Sequence, residues 1–442
     1  CLRWFQRPIL RCSCLHSQIQ QRQLPMEICG HFILWDLSVI WAPLLFFKMA
    51  EFFWHHYVSE KFISGIKWNV LEIVVPREMK KNPLAMELFM TGALYQHTDK
   101  GLWEIFVQGA VWFWFSLEIA SIDGQVHFYI RTPSRVRQLI ESQMYAHFPQ
   151  VEIREVEDYT RGIPKLVANG PYNAWGCEFY KKEHDVLPIK TYVDFGLDKD
   201  PKDEYRNDPL SGVLEYMASI KKGEQLWVQI IVRASRKVWH THGTLFKHHG
   251  YQEELERYLH EILEPYTKHA KDWSDRESRE ARTPDYLKPV VDAINKASMK
   301  MPFDTCIRCM YVATREAWDN NTRRGFRLLW RHYGNPKINE FFRDHSTQYD
   351  YPWQDPFGHN LLAKKNRMLM YYKLRVLFYP PFWLSVEYPI VSFFLPSNKP
   401  RYYIMNTEEL ATIWHFPARG TETPTIERTE TRTSKPPANL PM

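Results

Sequence analysis

No G-x-x-x-x-G-K-[ST] stretch occurs in the 442 residues, so the chain carries no Walker-type phosphate loop. G-x-G-x-x-G, G-x-S-x-G and H-E-x-x-H are missing too, which removes the signatures of dinucleotide binding, nucleophile-elbow hydrolysis and zincin chemistry. Cysteine is sparse and odd in number: Cys1, Cys12, Cys14, Cys29, Cys177, Cys306 and Cys309. Such scatter is no disulfide framework and points to a reducing compartment. Neither sign of charge dominates. With 57 basic and 51 acidic side chains the net charge is +6, too balanced to argue nucleic-acid binding by itself.

What is present is enough chain for a sizeable core and for two or three domains. Hydrophobic content of 45% with 24% charged residues is ordinary globular composition. The aromatic share, 15% with 17 Trp, is high, and part of it falls on a membrane-like stretch where Trp and Tyr favour the interface.

Residues 1–25 begin at Cys1 and show no period. They read as a doubtful leader, upstream or truncated sequence, with Met26 as the expected start. The run Phe32–Phe47 is apolar except for Asp36 and Ser38, and continues amphipathic to Val58. It reads as a transmembrane anchor over 26–60, the alternative being a buried or interfacial helix. Lys48, Lys61, Lys67, Arg77, Lys80 and Lys81 follow it, so the positive-inside rule predicts a single-pass cell-membrane protein with its bulk in the cytoplasm.

The body reads as α+β. "KWNVLEIVVP" is a near-continuous apolar strand, and Asn82–Pro83 supplies an N-cap and a first-turn proline. Met86, Phe89, Met90, Ala93 and Leu94 then share one helix face. Phe113, Phe115, Leu117 and Ile119 alternate, Asp123–Gly124 turns the chain, and Val126, Phe128 and Ile130 alternate again as a hairpin. A helix from Thr132–Pro133 and the strand "QVEIREVE" complete a β-α-β-β-α-β ferredoxin-like unit over 61–160. A second, looser α+β unit is expected over 161–350. Its strand is "IKTYVDFGL", its helix starts at Asp208–Pro209, and further strands follow at Leu226–Val232 and Phe303–Val312. Within it, 236–281 reads as a charged, His-rich surface insertion with one exposed helix. Residues 351–405 form a Pro- and aromatic-rich connection. Pro380, Pro381, Pro389 and Pro396 argue against a regular spanning helix there, so that stretch reads as a buried or membrane-touching loop.

Four groups of residues could carry chemistry. Cys306-x-x-Cys309 lies in an expected strand, where i and i+3 point to opposite faces, so core cysteines are preferred to a zinc site. His240, His242, His248 and His249 could close a tetrahedral metal site, against a solvated polar loop. Asp194, Asp198, Asp200, Asp203 and Asp208 lack EF-hand spacing and read as a turn and an N-cap. Arg323, Arg324, Arg327, Arg331 and Lys337 interleave with Phe326, Trp330 and Tyr333. That pattern suits nucleic acid, or equally a core-facing stripe with an arginine-rich outer face. No cofactor is expected.

Near the end, Asn406 and Glu409 make a capping box for a docking helix over 406–417, with Leu410, Ile413 and Trp414 on one face and a disordered or extended tail over 418–442. The string "MNTEELATIWHFPARGTETPTIERTETRTSKPPANLP" resembles the end of a family of membrane-anchored bacterial proteins of unknown function. In relatives a similar segment precedes the motor domain of FtsK/HerA-like conjugation and type IV secretion ATPases. "GIKWNVLEIVVPREMKKNPLAMELFM", "WFSLEIASIDGQVHFYIRTPSRVRQLIESQMYAHFPQVEIREVEDYT" and "YDYPWQDPF" carry the same resemblance, which covers Gly65 to Pro441. It implies a non-catalytic, membrane-anchored accessory module for a P-loop motor ATPase, docked through Glu409, Leu410, Ile413 and Trp414. The alternatives are a membrane-tethered nucleic-acid-binding protein and a metal-dependent enzyme at the histidine insertion.

Overall fold

The computed structural model describes residues 42–43, 46–47, 49–76, 82–96, 100–198, 208–235, 251–267, 284–349, 353, 355, 359–381 and 401–417. They divide into two units, one of 1–63 with 100–111 and one of 64–99 with 112–442. In the smaller unit the chain is helical over 49–63, and the Trp54 indole donates to the Phe106 carbonyl at 2.7 Å. Gly109, at φ +68°, lies so close to the Val58 carbonyl that a Cβ would stand 2.2 Å from its oxygen.

The expected transmembrane helix is overturned here. Among the described residues no helix is long and apolar enough to cross a membrane. The apolar run is cut by Lys48 and Glu51, and the helix that follows carries His55, His56, Glu60 and Lys61, side chains that hydrocarbon disfavours. Residues 32–41, 44 and 45 of the run lie outside the described residues.

Among the described residues the larger unit is built on one antiparallel sheet of nine strands. They are β1 (Trp68–Val74), β2 (Phe115–Ile122), β3 (Gln125–Pro133), β4 (Glu152–Val156), β5 (Tyr172–Lys181), β6 (Glu224–Ala234), β7 (Pro302–Thr314), β8 (Phe341–Asp344) and β9 (Tyr403–Asn406). Their order is β4-β1-β3-β2-β6-β7-β5-β8, with β9 beside the start of β7. The helices are α1 (Pro83–Phe89), α2 (Arg137–His147), α3 (Pro209–Ala218), α4 (Tyr251–Thr267), α5 (Lys288–Ser298), α6 (Asn320–Leu328), α7 (His359–Leu374) and α8 (Thr407–Ile413).

Local chemistry explains the boundaries. Asn82 Oδ1 accepts from the Leu84 N–H at 3.0 Å and Asp208 Oδ1 from the Leu210 N–H at 2.8 Å, each just before a first-turn proline. Asp123 and Gly124 both take positive φ, 54° and 86°, as a two-residue hairpin turn requires.

The strand order shows a duplication that the sequence does not display. The first half runs β1-α1-β2-β3-α2-β4 with sheet order β4-β1-β3-β2. The second runs β5-α3-β6-β7-α6-β8 with sheet order β8-β5-β7-β6. Both are ferredoxin-like arrangements, joined through antiparallel β2 and β6 with Phe115 opposite Val232 and Ile122 opposite Gln225. The two expected units therefore share one sheet. Where the first half turns at Asp123–Gly124, the second inserts 235–301.

Two further expectations need correction. "IKTYVDFGL" is not a strand: over 191–198 the chain turns, with Asp194 Oδ2 accepting from the Thr191 N–H at 2.9 Å and Gly196 at φ 71°. The strand is β5, upstream, whose Asn173, Gly176 and Glu178 hide its period. Nor is the insertion helix exposed all round. Tyr251, Leu255 and Leu259 of α4 bury against Val186, Leu187 and Ile404, with Ile294 of α5.

One face of the sheet is covered by α1, α2, α3, α6 and α8. There Leu117, Phe128, Ile230 and Ile307 meet Phe89, Met144, Leu214, Phe326 and Trp414. The other face carries α7, whose Met368, Leu369 and Tyr372 pack on Val70, Trp227, Met310 and Val312. Under α7 a single row of polar side chains crosses the sheet. In register it reads Arg154, Glu72, Tyr129, Glu118, Gln229, Arg308, Glu178, Asp344, one residue per strand from β4 to β8. Five of its members, from Tyr129 to Glu178, are buried.

Arg308 is fully buried and donates to Glu178 at 2.6 and 2.9 Å. Arg308→Met would strand a buried carboxylate and is expected to cost about 3–5 kcal/mol. Adding Glu178→Gln should recover most of that loss. Urea unfolding midpoints check this, and a single variant as stable as the double contradicts the pairing.

Candidate functional site

The closing helix α8 does dock, but on its own chain. Glu409, Leu410, Ile413 and Trp414, the residues expected to meet a partner, are all buried. Trp414 and Phe416 stack edge-on against Phe128, and α8 packs against α1 and α3. The capping box is formed, with Asn406 Oδ1 accepting from the Glu409 N–H at 2.8 Å and Glu409 Oε2 accepting from the Asn406 N–H at 2.9 Å. Glu409 also pairs with buried Lys181 at 2.7 Å and accepts from the Ile189 N–H at 2.9 Å. A carboxylate so engaged has nothing left for a motor protein. The docking surface is internal.

The buried polar row is the largest set of ionisable groups that sequence reasoning missed. Gln229 sits at its centre, donating to Glu118 at 3.2 Å and to the Tyr372 carbonyl at 3.0 Å, and accepting from Arg308 at 3.0 Å. Arg375, just past α7 at φ 51°, pairs with Glu118 at 2.9 and 3.0 Å and also with Asp158. Tyr159 donates to Glu118 at 2.7 Å. Burial would raise the Glu178 carboxyl, but the charge of Arg308 and hydrogen bonds from His345 and Tyr180 outweigh it and hold it at about 2. Burial opposes ionisation of Glu118 likewise, and Arg375 still holds it below the usual carboxylate range. Neither group is poised near neutrality or free to reach a substrate, so neither suits general acid–base work. The signal that could have revealed the row is a charged or amide side chain flanked by apolar neighbours in the central strands: Glu118 in β2, Gln229 in β6, Arg308 in β7 and Glu178 in β5.

The arginines stand differently. Arg323, Arg324 and Arg327 lie on α6 and Arg331 on the 3-10 turn Leu329–Tyr333 that follows. Arg324, Arg327 and Arg331 are exposed, and Arg323 is half-buried. Phe326, Trp330 and Tyr333 face the core, so the apolar stripe and the basic face are both real. Gly325 lets the helix close on α3: a Cβ there would stand 2.0 Å from the Tyr216 hydroxyl, which donates to the Thr322 carbonyl at 2.8 Å. Lys337 is exposed farther along the chain.

The duplication supplies an internal comparison. In the first half, α2 and β4 carry arginines that are neutralised: Arg137 by Glu141 at 2.6 Å and by Glu155, Arg154 by Glu152 at 2.8 Å. In the corresponding second half, no carboxylate among the described residues pairs with Arg323, Arg324, Arg327 or Arg331. Asp319, the nearest acid along the helix, caps it by accepting from the Asn321 N–H at 2.7 Å. Burial, and then crowding by Arg324, Arg327 and Arg343, lower the pKa of Arg323.

The remaining candidates carry less. His240, His242, His248 and His249 lie outside the described residues, as do Asp200 and Asp203. Among the described residues no group of His, Cys, Asp or Glu is arranged to hold a metal ion. Cys177, Cys306 and Cys309 are free and buried in the sheet, and burial pushes each thiol up, away from thiolate reactivity.

A family model described as a domain of unknown function, DUF8128, matches residues 114–429, well over half of the chain. The match runs from the start of β2 past α8. A search of the curated proteins finds no match.

The last buried pair ties the end of the fold down. His415 faces two acceptors, the Ala411 carbonyl at 2.9 Å from Nδ1 and Asp208 Oδ2 at 3.1 Å from Nε2, a setting that favours the doubly protonated ring. Burial alone would lower its pKa, but Asp208 outweighs that and raises it. Burial opposes the charge on Asp208 too, yet His415 holds its pKa below the usual value. The His415 contribution is full below its unfolded value of about 6.5 and is lost as pH rises through the raised folded value. The Asp208 contribution is present above about 3.9 and is lost as pH falls through the depressed one. The stability gap between the natural chain and a His415→Gln variant should therefore be widest between about pH 4 and 6.5. Thermal melts across pH check this, and a gap that widens above pH 7 contradicts it.

Proposed function

This chain belongs to the DUF8128 family, and we propose that it is a non-catalytic module that binds nucleic acid through the phosphate backbone, using the arginine face of α6. The observation that carries the reading is the contrast between the two halves. The same helix-and-edge arrangement is neutralised by glutamates at α2 and left uncompensated at α6. Packing does not explain those arginines, because Phe326, Trp330 and Tyr333 hold the helix from its other side. Like charges gathered on one face repel one another, and a polyanion relieves that repulsion while releasing its own counterions. Glu118 and Glu178 add support from the other direction, each paired with a buried arginine and held below the usual carboxylate range despite burial.

The resemblance to the region that precedes FtsK/HerA-like ATPases gives such a module a setting. It would hold a strand for a conjugation- or secretion-type motor supplied by another chain, and would meet that motor through a surface other than the buried closing helix. No step of the chemistry would fall to this chain.

Fluorescence anisotropy with labelled DNA across a salt series tests the reading. Affinity should fall steeply with salt, and Arg324→Gln/Arg327→Gln/Arg331→Gln should reduce the slope by about 2–3, at roughly 0.7–0.9 per lost phosphate contact. Melting temperature should hardly change, since all three side chains are exposed and unpaired. Unchanged DNA affinity in the triple variant contradicts the proposal.

A further inference from the structure

The basic face does not end at α6. At the corner where β7 ends and β5 begins, Arg315 is exposed and donates to Asn169 Oδ1 at 3.2 Å. Lys365, on α7, donates to Asn173 Oδ1 at 2.7 Å and lies 5.9 Å from the centre of the Trp318 ring. Trp318 directly precedes Asp319, the N-cap of α6, and is half-buried against Tyr311 at 4.6 Å. Burial, then the charges of Arg323 and Arg315, lower the pKa of Lys365, as a cation among cations requires. So basic side chains continue from α6 past Trp318 to α7, with Glu316 and the capping Asp319 the acids in that stretch, and these two helices cover opposite faces of the sheet.

From this path we infer that the ligand of the arginine face is single-stranded nucleic acid, which rounds the corner with a base stacked near Trp318. The inference rests on the function proposed above and narrows it. Stiffness decides between the two forms of the ligand. Duplex DNA keeps its direction over roughly 150 base pairs, and bending even 20–30 pairs by 40–90° costs on the order of 1–6 kcal/mol. The strip turns from one face to the other within a helix-on-sheet layer stack, on the order of 20 Å. A duplex lying on α6 cannot follow it, whereas a single strand can. A single strand also has free base faces, and stacking on an aromatic side chain is worth about 1–3 kcal/mol per base. Arg315 and Lys365 then meet phosphates that a duplex on α6 leaves out of reach.

The test uses the full chain with two fluorescein-labelled probes, a 20-nucleotide oligo-dT and a 20-base-pair duplex. The natural chain should bind oligo-dT roughly tenfold more tightly, the equivalent of one stacked base. Arg315→Gln/Lys365→Gln should weaken oligo-dT binding several-fold and reduce its salt slope by about 1.4, two contacts at roughly 0.7 each, while leaving the duplex unaffected. Trp318→Leu should cost oligo-dT and not duplex, with thermal melts confirming that both variants fold. Equal losses on the two probes, or a duplex bound as tightly as oligo-dT, would overturn the single-strand inference while leaving the arginine face intact. If neither probe binds at low salt, the arginine-face reading itself falls, and this inference with it.

Discussion

Two ion pairs buried in one face of the sheet, Glu118 with Arg375 and Glu178 with Arg308, set the terms for the rest of this fold. Each charge would be costly alone, and each is tolerated because its partner and several neutral groups surround it. Gln229 bridges the pairs, and it stands on β6, the strand that joins the second half to the first. The Arg308 guanidinium also donates to the carbonyls of Tyr371 and Val376, and Arg375 belongs to the same stretch of chain. The network therefore ties three things together: the seam between halves, the register of the four central strands β2, β6, β7 and β5, and the seat of α7. A slip of one residue in any central strand would turn its polar member to the apolar face.

Much of this was legible where the chain obeys simple periodicity. The first half alternates cleanly, its hairpin turn is an Asp-Gly pair, and its helix begins at Asn-Pro. The second half obscured itself for physical reasons. β5 is buried on both faces near its centre and interrupted by Gly176, into whose place Met310 and Met368 press. A strand of that kind shows neither alternation nor a continuous apolar run. The apolar residues of 189–197 mimic a strand while serving as a turn that rests on α8 through Tyr192 and Thr412. With β5 misplaced, the repeated order could not be read. The membrane-like run misled in another way, since Lys48 and the charges after it read as the flank of an anchor rather than as its interruption.

The arginine cluster shows both the reach and the limit of sequence reading. Its residues and its apolar stripe are visible in the sequence, and so are both readings of it. What the sequence lacks is the comparison with α2, because only the topology reveals that α2 and α6 are counterparts. Neither could the sequence bring Arg315, Trp318 and Lys365 to one corner, since Lys365 reaches it from the opposite face of the sheet. The repeated arrangement gives the larger unit two similar ends. At one Arg137 and Arg154 are paired with glutamates, and at the other the arginines of α6 stand exposed.

Photocrosslinking tests the central claim most directly. A bromodeoxyuridine-substituted strand would be irradiated with the intact chain and the attached peptides identified by mass spectrometry. The account predicts attachment within 315–331, on α6 and the corner before it. Attachment concentrated on α2 and β4, the neutralised counterpart, would contradict it.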